Sequence, residues 1–253
     1  MDEYQGTWFG RRVVLVLLGV LLMFFSPWLG TMLLLLALII HVASRYDPKP
    51  VSARHFNKAL ELEKGGDYEA AVKELNQSLE TRPSNLLSLA KLITVLMDRV
   101  KDFERALPFT DAFIAAAPYP TLESLPPDPL LGTVFKTNCL FELGRFDDVI
   151  TLIQRSDIET LASPDVVEHL QLLLGRAFFE NGSYEVAAEQ LLKGPVRSRK
   201  RDDDTVMEFR YWLGLAYLKS GEKRKAKTQL AKVYAADTDF RDIAEYAEEA
   251  GLV

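Results

Sequence analysis

The sequence has few of the residues and motifs that catalysis and metal binding usually require. It contains one cysteine and three histidines among 253 residues, and none of the histidines lies in an HExxH or mixed Cys/His pattern. It also lacks a GxxxxGK[ST] loop, a GxGxxG motif and a GxSxG elbow. We therefore predict that the protein is not an enzyme and holds no metal ion or cofactor.

An excess of positive charge and the means for a disulfide are also missing. The net charge of −6 argues against nucleic acid as a partner, because phosphate contacts need a basic surface. The single cysteine, Cys139, cannot form an intramolecular disulfide. It stands in a helical pattern beside Leu140 and Phe141, so we predict that it is a small buried hydrophobe in a reducing compartment.

Charged side chains are absent from Val13 to Ser44, a run of 32 residues. A straight helix of that length would measure roughly 48 Å, against about 30 Å of bilayer hydrocarbon. Pro27 and Trp28 interrupt the run near its middle. We predict a membrane anchor over residues 1–46, folded as a tight transmembrane or re-entrant helical hairpin around Pro27. A single tilted and kinked span is the alternative.

The charges that flank this apolar run predict its orientation. Arg11 and Arg12 precede it, Arg45 follows it, and the turn between its two arms is uncharged. Under the positive-inside tendency both ends would be cytoplasmic, and Trp8 can extend the first arm. A cleaved signal peptide fits poorly, because no small-x-small cleavage site follows Phe25. The sequence thus predicts a membrane-anchored protein with its remaining residues on the cytoplasmic side.

A helix–turn–helix pattern follows a predicted linker at 47–51 and recurs to the C-terminus. In its first copy, Ala59 and Ala71 are the small residues that let two helices approach, and Pro83 ends the second helix. Four further segments repeat this arrangement, with a glycine-containing turn in most of them. The residues that follow the five turns are Tyr68, Phe103, Phe146, Tyr184 and Lys223.

With these residues in these places, the chain resembles the tetratricopeptide repeat family over roughly residues 52–252. The resemblance implies an all-α solenoid of about five helix pairs and a C-terminal capping helix, rather than an unrelated helical bundle. Lys136 and Thr137 make the third pair the weakest match, because a leucine and a small residue are expected there. The implied domain is 52–253, with units at about 52–85, 86–120, 130–163, 168–196 and 207–240 and a cap at 241–253.

The resemblance also implies a concave inner face that binds partners. The family's carboxylate-binding variant would need Lys and Asn at the positions of Phe56 and Leu60, so we expect an amphipathic helix or an apolar extended segment instead. For any one of these side chains, packing between neighbouring helices is the alternative role. The family's inner-face pattern predicts the groove residues Phe56, Leu60, Val134, Asn138, Phe141, Leu172, Arg176, Phe179, Tyr211, Leu215 and Leu218.

Anchor and repeats together predict a scaffold or assembly factor that binds a membrane-associated protein client. The alternative is a structural membrane protein whose short hairpin shapes the lipid bilayer or oligomerises in it, while the repeats link copies; self-association as a homo-oligomer stays open. The basic run from Arg197 to Arg201 is either a contact for an acidic partner or lipid headgroups, or a solvated loop neutralised by the aspartates behind it.

Overall fold

The computed structural model describes residues 48–116, 130–156, 158, 163–197 and 203–252. In these ranges the protein is all-α and contains no strand. The membrane anchor predicted over residues 1–46 lies outside the described residues, and none of the helices within them is both long and apolar enough to span a bilayer. The helices are α1 (Pro48–Lys64), α2 (Tyr68–Thr81), α3 (Leu86–Thr94), α4 (Phe103–Ala116), α5 (Leu131–Glu142), α6 (Phe146–Arg155), α7 (Pro164–Glu180), α8 (Tyr184–Leu191), α9 (Asp204–Lys219), α10 (Lys223–Ala236) and α11 (Ile243–Glu249).

Successive helices form pairs, and a short turn joins the two helices of each pair. This arrangement confirms the predicted solenoid of tetratricopeptide type. Two of the pairs begin earlier than predicted. Helix α1 starts at Pro48, inside the segment predicted to be a linker, and α7 starts at Pro164. Proline in the first turn of a helix loses no hydrogen bond, because the N–H that it lacks would have no partner there. Both helices therefore begin at a proline.

Within most pairs, the turn is made by a glycine in the left-handed conformation. Gly66, Gly144, Gly182 and Gly221 have φ angles of 81°, 70°, 77° and 84°, which a residue without a Cβ adopts at little cost. In the second pair Lys101 takes this place with φ of 60°, after the helix widens into a π-helical turn at Val95–Val100. Asp102 N–H donates to the Leu96 carbonyl six residues back, whereas Asp67 N–H in the first pair donates to Leu62 five residues back, so the wider turn contains one extra residue.

Close helix contacts explain why the repeat pattern requires small residues. A Cβ on Gly175 would lie 2.5 Å from Leu191 Cγ, and one on Gly214 would lie 2.5 Å from Leu230 Cδ2. In the weaker third pair, Thr137 stands at the equivalent place and is fully buried. Its hydroxyl donates a 2.6 Å hydrogen bond to the Thr133 carbonyl of its own helix, which satisfies the polar group within the core.

The chain divides into two compact units, one up to Ser88 and one from Leu89 onward. In the first unit, Ala59, Ala71 and Leu75 are fully buried where α1 and α2 pack together. This unit also buries a polar network. Ser78 Oγ lies 2.7 Å from Ser52 Oγ and 2.8 Å from Ser88 Oγ, and it donates to the Ser52 carbonyl at 2.9 Å.

A carboxylate near the network in the first unit is also paired within that unit. Glu74 accepts hydrogen bonds from His55 Nδ1 at 2.7 Å and from Lys58 Nζ at 2.6 Å. The hydrogen bond from His55 first, and that from Lys58 second, lower the pKa of Glu74 below its ordinary value. The polar groups inside this first unit therefore find their partners among its own residues.

The second unit has an apolar core that runs along its helix pairs. Leu140, Ile153 and Leu170 centre one cluster, and Phe209 and Leu230 centre another. Cys139 is fully buried, as predicted, and burial raises the pKa of its thiol to about 11. Helix α11 buries Ile243 and Ala247 completely, with Ile243 in the cluster of α9 and α10.

Candidate functional site

A row of aromatic and arginine side chains crosses the first helices of three successive pairs in the second unit. We call it the groove wall and define it as Phe141 on α5, Arg176 and Phe179 on α7, and Tyr211 and Trp212 on α9. The guanidinium carbon of Arg176 lies 4.4 Å from the centroid of the Phe141 ring and 4.8 Å from that of the Trp212 ring. Arg176 thus joins the aromatic side chains of the two neighbouring helices by cation–π contacts.

Helical spacing explains why these side chains meet. Leu172, Arg176 and Phe179 are separated by four and three residues, so they project from the same face of α7. The ring of Phe179 makes edge contacts with Tyr184 at 5.3 Å and with Trp212 at 5.4 Å between centroids. These contacts fix the wall by packing along one helix face and across to the next.

Arg176 is charged and largely desolvated, yet no described carboxylate forms an ion pair with it. Its Nε is buried without a hydrogen-bond partner, and the side chain forms no ion pair with any described residue. Burial lowers its pKa, which the attraction of Glu208 opposes. Native structures rarely leave a buried polar atom without a partner, so this side chain requires an explanation.

A polar contact between α7 and α5 lies next to Arg176. His169 Nε2–H donates to Asn138 Oδ1 at 3.2 Å and so links α7 to α5. Burial first, and the positive charge of Arg176 second, lower the pKa of His169. The imidazole is therefore neutral at pH 7 and acts here as a hydrogen-bond donor.

The groove wall borders a cavity of about 550 Å³. Four aromatic rings, two carboxylates, one leucine and one arginine line it. The aromatic residues come from α7, α9 and α11, so the cavity lies between the wall and the C-terminal segment. The lining residues are Phe179, Glu180, Tyr211, Trp212, Leu215, Arg241, Asp242 and Tyr246.

The segment before α11 is held against α9 by polar and aromatic contacts. The Tyr211 hydroxyl donates to Asp242 Oδ1, and the Tyr211 ring lies 5.8 Å from that of Phe240 and 6.2 Å from that of Tyr246. Burial first, and the hydrogen bond to Asp242 second, raise the pKa of Tyr211, so it stays protonated. Tyr211 therefore ties the C-terminal segment to the wall.

Arg241 differs from Arg176 because a carboxylate accepts its hydrogen bonds. Its Nε and Nη2 donate to Glu208 Oε1 at 3.0 and 2.6 Å, while its guanidinium carbon lies 5.8 Å from the Trp212 ring centroid. Trp212 Nε1–H donates to the other oxygen of Glu208 at 3.1 Å. The φ of Arg241 is 51°, a left-handed value that is uncommon for residues other than glycine.

The predicted groove residues are exposed to different extents, and their role as a partner site stays a prediction. Tyr211 and Leu215 line the cavity but are each only 3% exposed, and Leu218 is 7% exposed. Phe141 is also buried. The half-buried members are Phe56 and Leu60 on α1 in the first unit and Val134, Asn138, Leu172, Arg176 and Phe179 in the second.

The sequence interpretation missed Trp212, Glu208 and the cavity contribution of Arg241, Asp242 and Tyr246. Trp212 directly follows the predicted groove residue Tyr211, so a wider inner-face pattern could have included it. Within the described residues, no group of three or more His, Cys, Asp or Glu side chains is arranged to hold a metal ion.

Comparison with known proteins identifies the repeat type. The tetratricopeptide repeat family model matches residues 53–85 and 208–240. No curated protein sequence matches the chain. Two solved structures are similar at low identity. YrrB, described as a tetratricopeptide repeat protein with an unusual peptide-binding site, is 17% identical, with 77% of this chain and 90% of that chain covered and a TM-score of 0.56.

The second similar structure is MamA, from residue 41 to its end, from Desulfovibrio magneticus RS-1. It is 14% identical to this chain, with 75% of this chain and 97% of that chain covered and a TM-score of 0.59. At such identities the likeness shows the fold alone. Tetratricopeptide folds typically serve as modules for protein–protein interaction and peptide binding, not as catalysts.

Proposed function

We propose that this solenoid, whose first and last helix pairs match the tetratricopeptide repeat model, is a membrane-anchored scaffold or assembly factor. It binds a helical or apolar peptide segment of a protein client at the groove wall. The observation that carries this proposal is the cavity of about 550 Å³ beside the wall, in which four of the eight lining residues are aromatic.

The size and chemistry of the cavity support this function. Ligand sites commonly enclose about 300–1,000 Å³ and combine apolar walls with a few fixed polar groups. Tryptophan, tyrosine and arginine are enriched among the residues that contribute most to protein binding. The cavity has Tyr211, Trp212 and Arg241 in its lining, and Glu180 and Asp242 supply polar groups that can orient a bound segment.

The membrane part of the proposal rests on the uncharged run from Val13 to Ser44. An anchor confines the solenoid to the membrane surface and raises its effective concentration near clients in the same membrane. The arginines on both sides of the run favour a cytoplasmic position for the repeats. The client is then a membrane-associated protein.

Site-specific photocrosslinking of the full chain in its native membrane tests the groove assignment. A benzoyl-phenylalanine at Glu180, which is exposed beside the cavity, should crosslink to a defined client. The same probe at Glu189, an exposed glutamate on α8 outside the cavity lining, is the matched control. Equal crosslinking from both positions, or none from position 180, would refute the proposal.

Protease protection tests the anchor separately. With tags at both termini, intact cells should protect both tags, because the proposed hairpin leaves both ends in the cytoplasm. Digestion of only one tag would show a single span. Release of the full chain from membranes by alkaline carbonate would show that residues 1–46 do not anchor it.

A further inference from the structure

We infer that Arg176 binds the side-chain carboxylate of a glutamate or aspartate in the client segment. This inference rests on the proposed function and specifies the chemistry of the client. It starts from an arginine that is largely buried in the groove wall and whose Nε has no hydrogen-bond partner among the described residues.

A desolvated guanidinium without an anion is costly, and the costs of such groups are usually offset by paired, hydrogen-bonded partners. The rings of Phe141 and Trp212 interact with the guanidinium through their π faces, at 4.4 and 4.8 Å. A π face accepts none of the in-plane N–H bonds that arginine uses to bind a carboxylate through two parallel hydrogen bonds. The cation–π contacts therefore orient the Arg176 side chain and leave its in-plane donors without an acceptor among the described residues.

Arg241, which lies beside the groove wall, is an arginine that has a carboxylate partner. Both arginines lie over the Trp212 ring, at 4.8 Å for Arg176 and 5.8 Å for Arg241. Arg241 donates two hydrogen bonds to Glu208, whereas Arg176 donates none to a described residue. Glu208 accepts hydrogen bonds from Arg241 and Trp212 and makes none to Arg176. The missing component at Arg176 is a second carboxylate.

The single guanidinium of Arg176 favours a carboxylate over a phosphate or a cation. Arg176 is the only cation among the five groove-wall residues and forms no ion pair with a described residue, and its neighbour His169 is held neutral by burial. A phosphate carries nearly two charges and is usually bound by a cluster of cations. A lysine or arginine of the client would be repelled by the Arg176 guanidinium. The client segment we expect is apolar with one acidic residue.

Selection from a random peptide library displayed on phage tests this inference on the full chain in detergent. The wild type should enrich sequences with one Glu or Asp among apolar residues. Arg176→Gln should lose the acidic preference, and Arg224→Gln, which removes an exposed arginine of α10, should keep it. Arg176→Lys keeps the charge without the planar fork, so it should retain the preference at lower affinity.

A synthetic peptide from the selection and its Glu→Gln counterpart then give the size of the effect. Loss of a charged hydrogen bond corresponds to an affinity difference of about tenfold or more, so the wild type should prefer the Glu peptide by that factor. This comparison uses only the wild-type chain, so it stands even if Arg176→Gln fails to fold.

The outcomes separate this inference from the proposed function. Enriched apolar peptides without an acidic preference, or an acidic preference that survives in folded Arg176→Gln, would overturn the role of Arg176 and leave peptide binding intact. No enrichment by the wild type would overturn both.

Discussion

The first unit and the groove wall bury polar groups in opposite ways. In the first unit, the Ser78 hydroxyl bonds to those of Ser52 and Ser88, and the Glu74 carboxylate accepts hydrogen bonds from His55 and Lys58. On the groove wall, Arg176 is largely buried and receives no hydrogen-bond acceptor from the described residues. A polar group whose partners all lie inside its own unit serves the fold, whereas one without partners is available to another molecule.

Removal of the Ser78 hydroxyl, at the centre of the serine network, should reduce stability most. Ser78→Ala should lower the free energy of unfolding by about 1–3 kcal/mol, because it removes the hydrogen bond between Ser78 and the fully buried Ser88 hydroxyl. Urea denaturation followed by circular dichroism measures it. The control is Thr228→Ala, which removes an exposed hydroxyl and should cost less than about 0.5 kcal/mol. Equal losses in the two variants would show that the network does not stabilise the pair.

Replacing one charged group of each region by methionine should change stability to different extents. Glu74→Met should destabilise the protein by about 1 kcal/mol, because it removes two charged hydrogen bonds that are partly screened by solvent. Arg176→Met should change stability by less than about 0.5 kcal/mol, since the apolar side chain removes a desolvation cost while losing the cation–π contacts. Thermal unfolding measures both. A large loss in Arg176→Met would mean that Arg176 serves the fold.

Acid should destabilise the two regions at different pH values, and this change in stability should be the smallest of the three. The pKa of His169 is lowered from 6.5, mainly by burial, so stability should begin to fall as the pH drops below that value. The pKa of Glu74 is lowered from 4.5, mainly by the hydrogen bond from His55, so its contribution should be lost only at more acidic pH. Melting temperatures across this range should show that His169→Gln removes the upper decline and Glu74→Gln the lower. Declines that are unchanged in these variants would contradict the assignment.

Much of the fold could be predicted because single residues mark the repeat. Gly175 and Gly214 stand where a Cβ would strike the partner helix, and Gly182 stands where the backbone turns left-handed. The starts of α1 and α7 were placed too late, although proline is common in the first turn of a helix. The wall was only partly predictable. Periodicity places Arg176 and Phe179 on one face, but the ion pair of Arg241 with Glu208 joins residues 33 positions apart, which no local pattern encodes.

Lys101 and the π-helical turn before it also bear on how this chain tolerates changes in length. Lengthening by one residue is absorbed within Val95–Val100, and α4 still begins at Phe103 with its small residue Ala106 fully buried. An insertion at this bend therefore does not rotate the helix that follows. The bend is a natural location for a short reporter sequence, or for evolutionary gain and loss of single residues, without disturbing the binding surface further along.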